Sequence, residues 1–168
     1  MATDEDEDEI EDDLWNAATE GALDRVAYFL EKLGATTPDF ADEFGFTPLM
    51  AAVQYGHVEL ARALLDRGAD PNFRDVEGQT SVHHCDTPEC LRLLAERGAD
   101  LEAADDDGLT ALATRRGELR DLERDGASDD EEERASVAKL VKALEAALGA
   151  RGGLPLHQPP PGDEERGA

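Results

Sequence analysis

The chain has 168 residues, enough for one ordinary domain with tails, and a formal net charge of −25. With 41 acidic residues against 16 basic ones, it repels phosphate backbones and anionic membrane surfaces, so no nucleic acid and no membrane is expected as a ligand. A basic protein partner, by contrast, would be steered in.

The acid is unevenly placed. Residues 1–13 (MATDEDEDEIEDD) carry no base at all and offer Ile10 as their one large apolar side chain besides Met1, so they are predicted to be a disordered, self-repelling segment. They lack the basic and apolar regions of a secretory signal, and nowhere does an apolar run approach the ~20 residues that cross a bilayer. In such a chain Cys85 and Cys90 read as reduced thiols, and a cytoplasmic or nuclear location is expected.

From Leu14 onward the sequence repeats itself. LWNAATEGALDRVAYFLEKLGATTPD (14–39) predicts a helix pair with small residues, Ala17 and Ala18, on its buried side. Trp15 is expected to cover the end of the stack. GFTPLMAAVQYGHVELARALLDRGADPN (45–72) adds an opening turn, DEFG. Its Thr47 is placed to cap a first helix, Tyr55-Gly56-His57 breaks that helix, and a second follows with Val58, Leu60, Ala61, Leu64 and Leu65 at helical spacing. GQTSVHHCDTPECLRLLAERGADLE (78–102) restarts the pattern after DVEG, and GLTALATRR (from 108) does so after DDDG. The Gly-x-Thr starts at Gly45, Gly78 and Gly108 are 33 and 30 residues apart. In the last unit the second helix comes late. SVAKLVKALEAALG (136–149) supplies it, so 116–134 is read as an acidic insertion between the two helices. The Pro- and Gly-rich stretch 150–168 is expected to be an extended tail. A lone helix pair of this kind cannot bury its apolar face, so the units must stack.

GFTPLMAAVQYGHVELARALLDRGADPN resembles an ankyrin repeat over nearly its whole length, and the likeness extends across residues 14–149 as four units, about 14–41, 42–74, 75–104 and 105–149. The units at 45–102 are also similar to small uncharacterised eukaryotic ankyrin proteins. The resemblance implies an all-α solenoid of stacked helix-turn-helix units whose β-turns project as a row of fingers, with the finger tips and the concave face as the binding surface.

Within this frame SVHHCDTPEC (81–90) loses its look of a metal site. His83 falls on the histidine of the ankyrin TPLH motif, which the resemblance says bonds the turn backbone and joins neighbouring repeats; Met50 stands there one unit earlier. Cys85 aligns with Ala52, where a small buried residue is required, and free Cys serves as one. Consecutive residues on a helix point about 100° apart, so His83, His84 and Cys85 on the expected helix would not converge on one ion. A Cys85–Cys90 disulfide is the minor alternative. No metal and no cofactor is expected. No phosphate loop, GxSxG or HExxH motif is present, so no enzyme is expected either.

By register the first finger carries Asp42, Glu43, Phe44 and Phe46, the second Arg74, Asp75, Val76, Glu77 and Gln79, and the third Asp105, Asp106, Asp107 and Leu109. Ala51, Gln54, Tyr55, His84 and Asp86 lie on the helix face behind. The opening Asp42, Asp75 and Asp105 are assigned to bracing their own turns. The candidate partner-binding residues are Phe44, Phe46, Tyr55, Val76, Glu77, His84, Asp106, Asp107 and Leu109, since rigid aromatics dominate interface hot spots. Ser128 in GASDDEEER has the acidic context of a kinase substrate and is a candidate phosphorylation site. The functional expectation is a monomeric, non-catalytic module that binds a protein partner of basic character. The alternatives are a dedicated chaperone of a basic ribosomal protein or histone, and an inhibitor or structural subunit of an enzyme or assembly. A zinc or hydrolytic protein ranks last.

Overall fold

The computed structural model describes residues 15–32, 38–125 and 131–151. Residues 15–19 are helical (α1). They are followed by α2 (Leu23–Lys32), α3 (Pro48–Gln54), α4 (Val58–Asp66), α5 (Pro88–Glu96), α6 (Ala111–Asp125) and α7 (Glu131–Arg151). Among the described residues there is no extended strand, only an isolated bridge between Ala104 and Thr110. The all-α solenoid expected from the repeat is the fold observed.

The pairing of helices follows the sequence periodicity. α3 lies against α4 and α6 against α7, while α2, α4, α5 and α7 pack in series as an outer row. Ala17, Ala18, Ala51 and Ala52 are fully buried, and their lack of bulk lets the pairs close on one another. Leu49, Leu64, Leu91, Leu94, Leu101 and Leu144 fill the seam, each contributing about 1.5–3 kcal/mol through burial. Ala51 belongs to this seam, as a small residue on the buried side of its helix should, and does not reach the helix face behind the fingers.

Two expectations are corrected. The third unit has no first helix: residues 81–84 form a single turn, held by His83 N–H to Thr80 O (2.9 Å) and a longer bond from His84 N–H to the same carbonyl (3.4 Å). The reason is local. This unit is three residues shorter, and Pro88 at the first turn of α5 leaves Thr87 extended (φ −125°, ψ 140°) as its N-cap, so no room remains for a second turn.

The second correction concerns 116–134. Residues 116–125 continue α6 and 131–134 open α7, so the stretch read as an insertion is, where described, the elongated end of a helix hairpin. Arg, Glu and Leu in RRGELRDLER are strong helix formers. Arg115–Glu118 and Arg124–Asp121 pair one turn apart on it, and Glu131, Glu132 and Glu133 sit where a helix N-terminus favours negative charge. At 15 and 21 residues, α6 and α7 outreach the 7 and 9 residues of α3 and α4. α7 takes in residues 150 and 151 of the tail expected at 150–168; the rest of that tail, segment 1–13 and Ser128 lie outside the described residues.

Candidate binding surface

Each finger is braced by its own opening aspartate. Asp42 Oδ1 accepts from the N–H groups of Phe44 (2.9 Å) and Phe46 (2.8 Å). Asp75 Oδ1 accepts from Glu77 (3.0 Å) and Gln79 (2.8 Å), and Asp105 Oδ1 from Asp107 (3.1 Å) and Leu109 (2.8 Å). Three turns therefore repeat one geometry, as an Asx side chain dictates. The turns are also joined to one another. Val76 N–H donates to Phe44 O (2.9 Å), and Asp106 N–H donates to Glu77 O (3.0 Å). Arg74 adds a bond to Ala104 O (2.9 Å) and an ion pair with Asp106 (3.5 Å).

Histidines tie the units together behind the fingers. Thr80 N–H donates to His83 Nδ1 (3.1 Å), which leaves Nε2–H to donate to Leu109 O in the next unit (3.2 Å). Burial lowers the His83 pKa below its ordinary value, consistent with a neutral ring that must accept at one nitrogen and donate at the other. Met50 reproduces half of this arrangement: its sulfur receives Thr47 N–H (3.5 Å), but it has no proton to pass on. At the other end, His57 Nε2–H donates to Thr19 O (2.6 Å), joining the second unit to the first.

His83, His84 and Cys85 serve three separate partners. His84 Nε2–H donates to Asp75 Oδ2 (2.8 Å), and the Cys85 thiol donates to Thr87 O (3.3 Å). Cys85 and Cys90 are both buried and both free thiols. Burial pushes the Cys85 pKa up to about 12 and raises that of Cys90 as well. Neither thiol should react with a disulfide reagent such as DTNB at pH 8 in the native protein, whereas both should react at once in denaturant. A full equivalent of fast-reacting thiol in the native state would contradict this burial.

The sequence-predicted binding residues divide into two groups. Phe44, Phe46, Val76, Glu77 and His84, with Asp42 and Asp75, line one groove of about 310 Å³ between the first two fingers. Phe44 (60% exposed) and Val76 (62%) form its apolar walls. Phe46 does not stand out as a finger tip. It is half-buried against the core, with its ring perpendicular to that of His84 at 5.0 Å and with Trp15 at 6.5 Å. It is the groove's floor, and Trp15 backs it as well as reaching Phe40 (6.4 Å). Tyr55 (56% exposed), Leu109 (46% exposed), Asp106 and Asp107 are accessible but lie outside this groove. Tyr55 instead stacks on His57 at 6.3 Å.

Sequence reasoning missed Arg115. It projects from α6 back to the truncated turn, where its guanidinium donates to His83 O (3.2 Å), Cys85 O (3.3 Å) and Asp86 (2.5 Å), and to Glu118 (3.0 Å) on its own helix. An arginine from the next unit thus occupies carbonyls that the absent helix would have satisfied. Nothing in the local sequence signals this, because the partners are 29 to 32 residues away.

A family model described as ankyrin repeats (3 copies) matches residues 14–105. The ankyrin repeat-containing protein P1E11.10 of Schizosaccharomyces pombe is 39% identical over 99 residues, 58% of this chain and 47% of that protein. An ankyrin repeat-containing protein of Treponema pallidum is 37% identical over 102 residues, 56% of this chain and 33% of its own length. The mouse 2-5A-dependent ribonuclease is 44% identical over 73 residues, 42% of this chain and 10% of the enzyme. The chain therefore spans about half the length of the yeast relative and a tenth of the ribonuclease. Among the described residues no helix is long and apolar enough to cross a membrane. With stacked helix pairs, Asx-braced fingers and a family match over more than half its length, the chain belongs to the ankyrin-repeat family, whose repeats are protein-interaction modules.

Proposed function

We propose that this chain is a non-catalytic, monomeric module of the cytoplasm or nucleus that binds a basic protein through its fingers and concave face. The observation that carries the reading is the company its exposed apolar side chains keep. Phe44, Val76, Tyr55 and Leu109 are all more than two-fifths exposed, and on the fingers three of them stand among Glu43, Glu77, Asp106 and Asp107 in a chain of net charge −25. Exposed apolar groups supply desolvation energy for an interface, and the surrounding field selects cationic partners and speeds their approach.

The test is capture of proteins by the immobilised full chain at about 50 and 300 mM salt, between which the screening length falls from about 14 to about 6 Å. Captured proteins should be enriched in basic sequences and should be released at the higher salt. A captured set without basic enrichment, or one retained equally at both concentrations, would refute the electrostatic part. Deleting residues 1–13 separates the chaperone reading, in which the acidic segment shields the partner, from one in which the fingers alone dock: only the first expects a large loss of binding.

A further inference from the structure

The groove between the first two fingers is more specific than a generally acidic surface, and we propose that it takes a single arginine side chain of the partner. This rests on the reading that the partner is basic, and adds which cation is chosen and where it sits. The walls are apolar and accessible: the Phe44 ring on one finger and the Val76 isopropyl group on the next, with Phe46 as the floor. The charge around them is of one sign. Asp42, Asp75 and Glu77 line the groove, and among the described residues His84 is the only other ionisable group lining it.

The carboxylates are not equivalent. Asp75 is fully engaged, one oxygen by the Glu77 and Gln79 amides and the other by His84. Asp42 spends one oxygen on the Phe44 and Phe46 amides. Among the described residues, the second Asp42 oxygen and the whole Glu77 carboxylate have no partner. An incoming cation therefore meets two unspent acceptors beside the exposed Phe44 ring, and the Asp75–His84 pair holds the floor in place without competing for it.

Arginine fits this better than lysine for three reasons. Its planar guanidinium stacks on an aromatic ring, it sheds water more readily than an ammonium, and its fork of donors can reach two separate acceptors at once. The methylene stem would lie along Val76, where a lysine stem would serve equally, so the discrimination lies in the head group.

The experiment is a titration of the isotopically labelled full chain with three synthetic Gly/Ser hexapeptides, carrying two arginines, two lysines or two citrullines, followed by amide and imidazole NMR shifts. The arginine peptide should move the signals of Phe44, Val76, Glu77 and His84 to saturation and bind several-fold more tightly than the lysine peptide. The citrulline peptide should not bind measurably. Phe44→Ala should weaken the arginine peptide about fivefold or more, and Glu77→Gln about threefold, both variants keeping the dispersed spectrum of the fold.

Equal shifts from the arginine and lysine peptides, spread over the third finger as well, would overturn the proposal, as would indifference to Phe44→Ala. The two readings fail separately. If a salt-sensitive basic protein is captured equally by the wild type and by the Phe44→Ala/Glu77→Gln double variant, the groove assignment falls while the basic-partner reading stands. If no basic protein is captured at all, it is the broader reading that falls.

Discussion

Replacing Arg115 by Met should destabilise the protein by about 2–4 kcal/mol, far more than the same change at its neighbour Arg116. Arg115 is 16% exposed and holds two backbone carbonyls, His83 O and Cys85 O, together with the Asp86 carboxylate. Those carbonyls belong to a turn with no helix to satisfy them, and each loses a charge-assisted bond when the guanidinium goes. Arg116 is 54% exposed and pairs with an exposed Glu145 at 2.6 Å, an interaction expected to contribute less than about 1 kcal/mol. Urea unfolding of the two variants side by side decides the matter, since equal losses would mean that the Arg115 bonds contribute nothing beyond surface pairing. Arg115→Lys should recover only part of the loss, because a point charge cannot span three acceptors.

The Arg115 variant also carries a pH signature. Burial already raises the Asp86 pKa, and the Arg115 guanidinium holds it down in opposition. Without that cation the folded-state pKa rises further above its unfolded value. A carboxylate raised in this way costs stability while it is ionised, and the cost is relieved as pH falls through the folded pKa. The gap in stability between wild type and Arg115→Met should therefore narrow from pH 7 toward the acidic range. A gap that widens on acidification would contradict the role given to Asp86.

The second large effect separates two glycines that look alike. Gly45 and Gly108 occupy the same place in their turns and share φ +77°. A methyl group at Gly45 would lie 2.9 Å from Asp75 Cα and 3.2 Å from Val76 N, backbone atoms of the adjoining finger that cannot swing aside. At Gly108 the same methyl group would meet nothing within 4 Å, as no further finger packs against this turn among the described residues. Gly108→Ala should therefore cost only the left-handed conformation, about 1 kcal/mol. Gly45→Ala should cost about 3 kcal/mol or more, since it also forces the Val76–Phe44 bond open. Thermal unfolding should show the first variant a few degrees below wild type and the second about 10 °C or more below it. Similar losses at both positions would mean that the fingers are not held in contact at their tips.

The Asx turns and the helical register were legible because each is decided within a few residues. Asp42, Asp75 and Asp105 reach only two and four residues ahead, and Leu60, Ala61, Leu64 and Leu65 repeat at the helical period, so a linear reading placed them correctly. Family likeness added one long-range bond, that of His83 to the next unit. Four features depended on the three-dimensional arrangement. Phe44 and Phe46 stand two apart on one turn, yet one is open and the other is the floor beneath it, because Trp15 and His84 come from other units to cover it. The third unit is three residues shorter than the second, a difference visible in the sequence, but the remedy for its missing helix, Arg115, lies across a unit boundary. The acidic run after Arg116 reads as an insertion on its charge alone, whereas packing of α6 on α7 and of Arg116 on Glu145 favours the helix. Gly45 and Gly108 share one conformation and differ in whether, among the described residues, another finger lies against the turn. Patterns carried by near neighbours in the chain can be read from the chain; what a residue faces 30 positions away is decided by how the units stack.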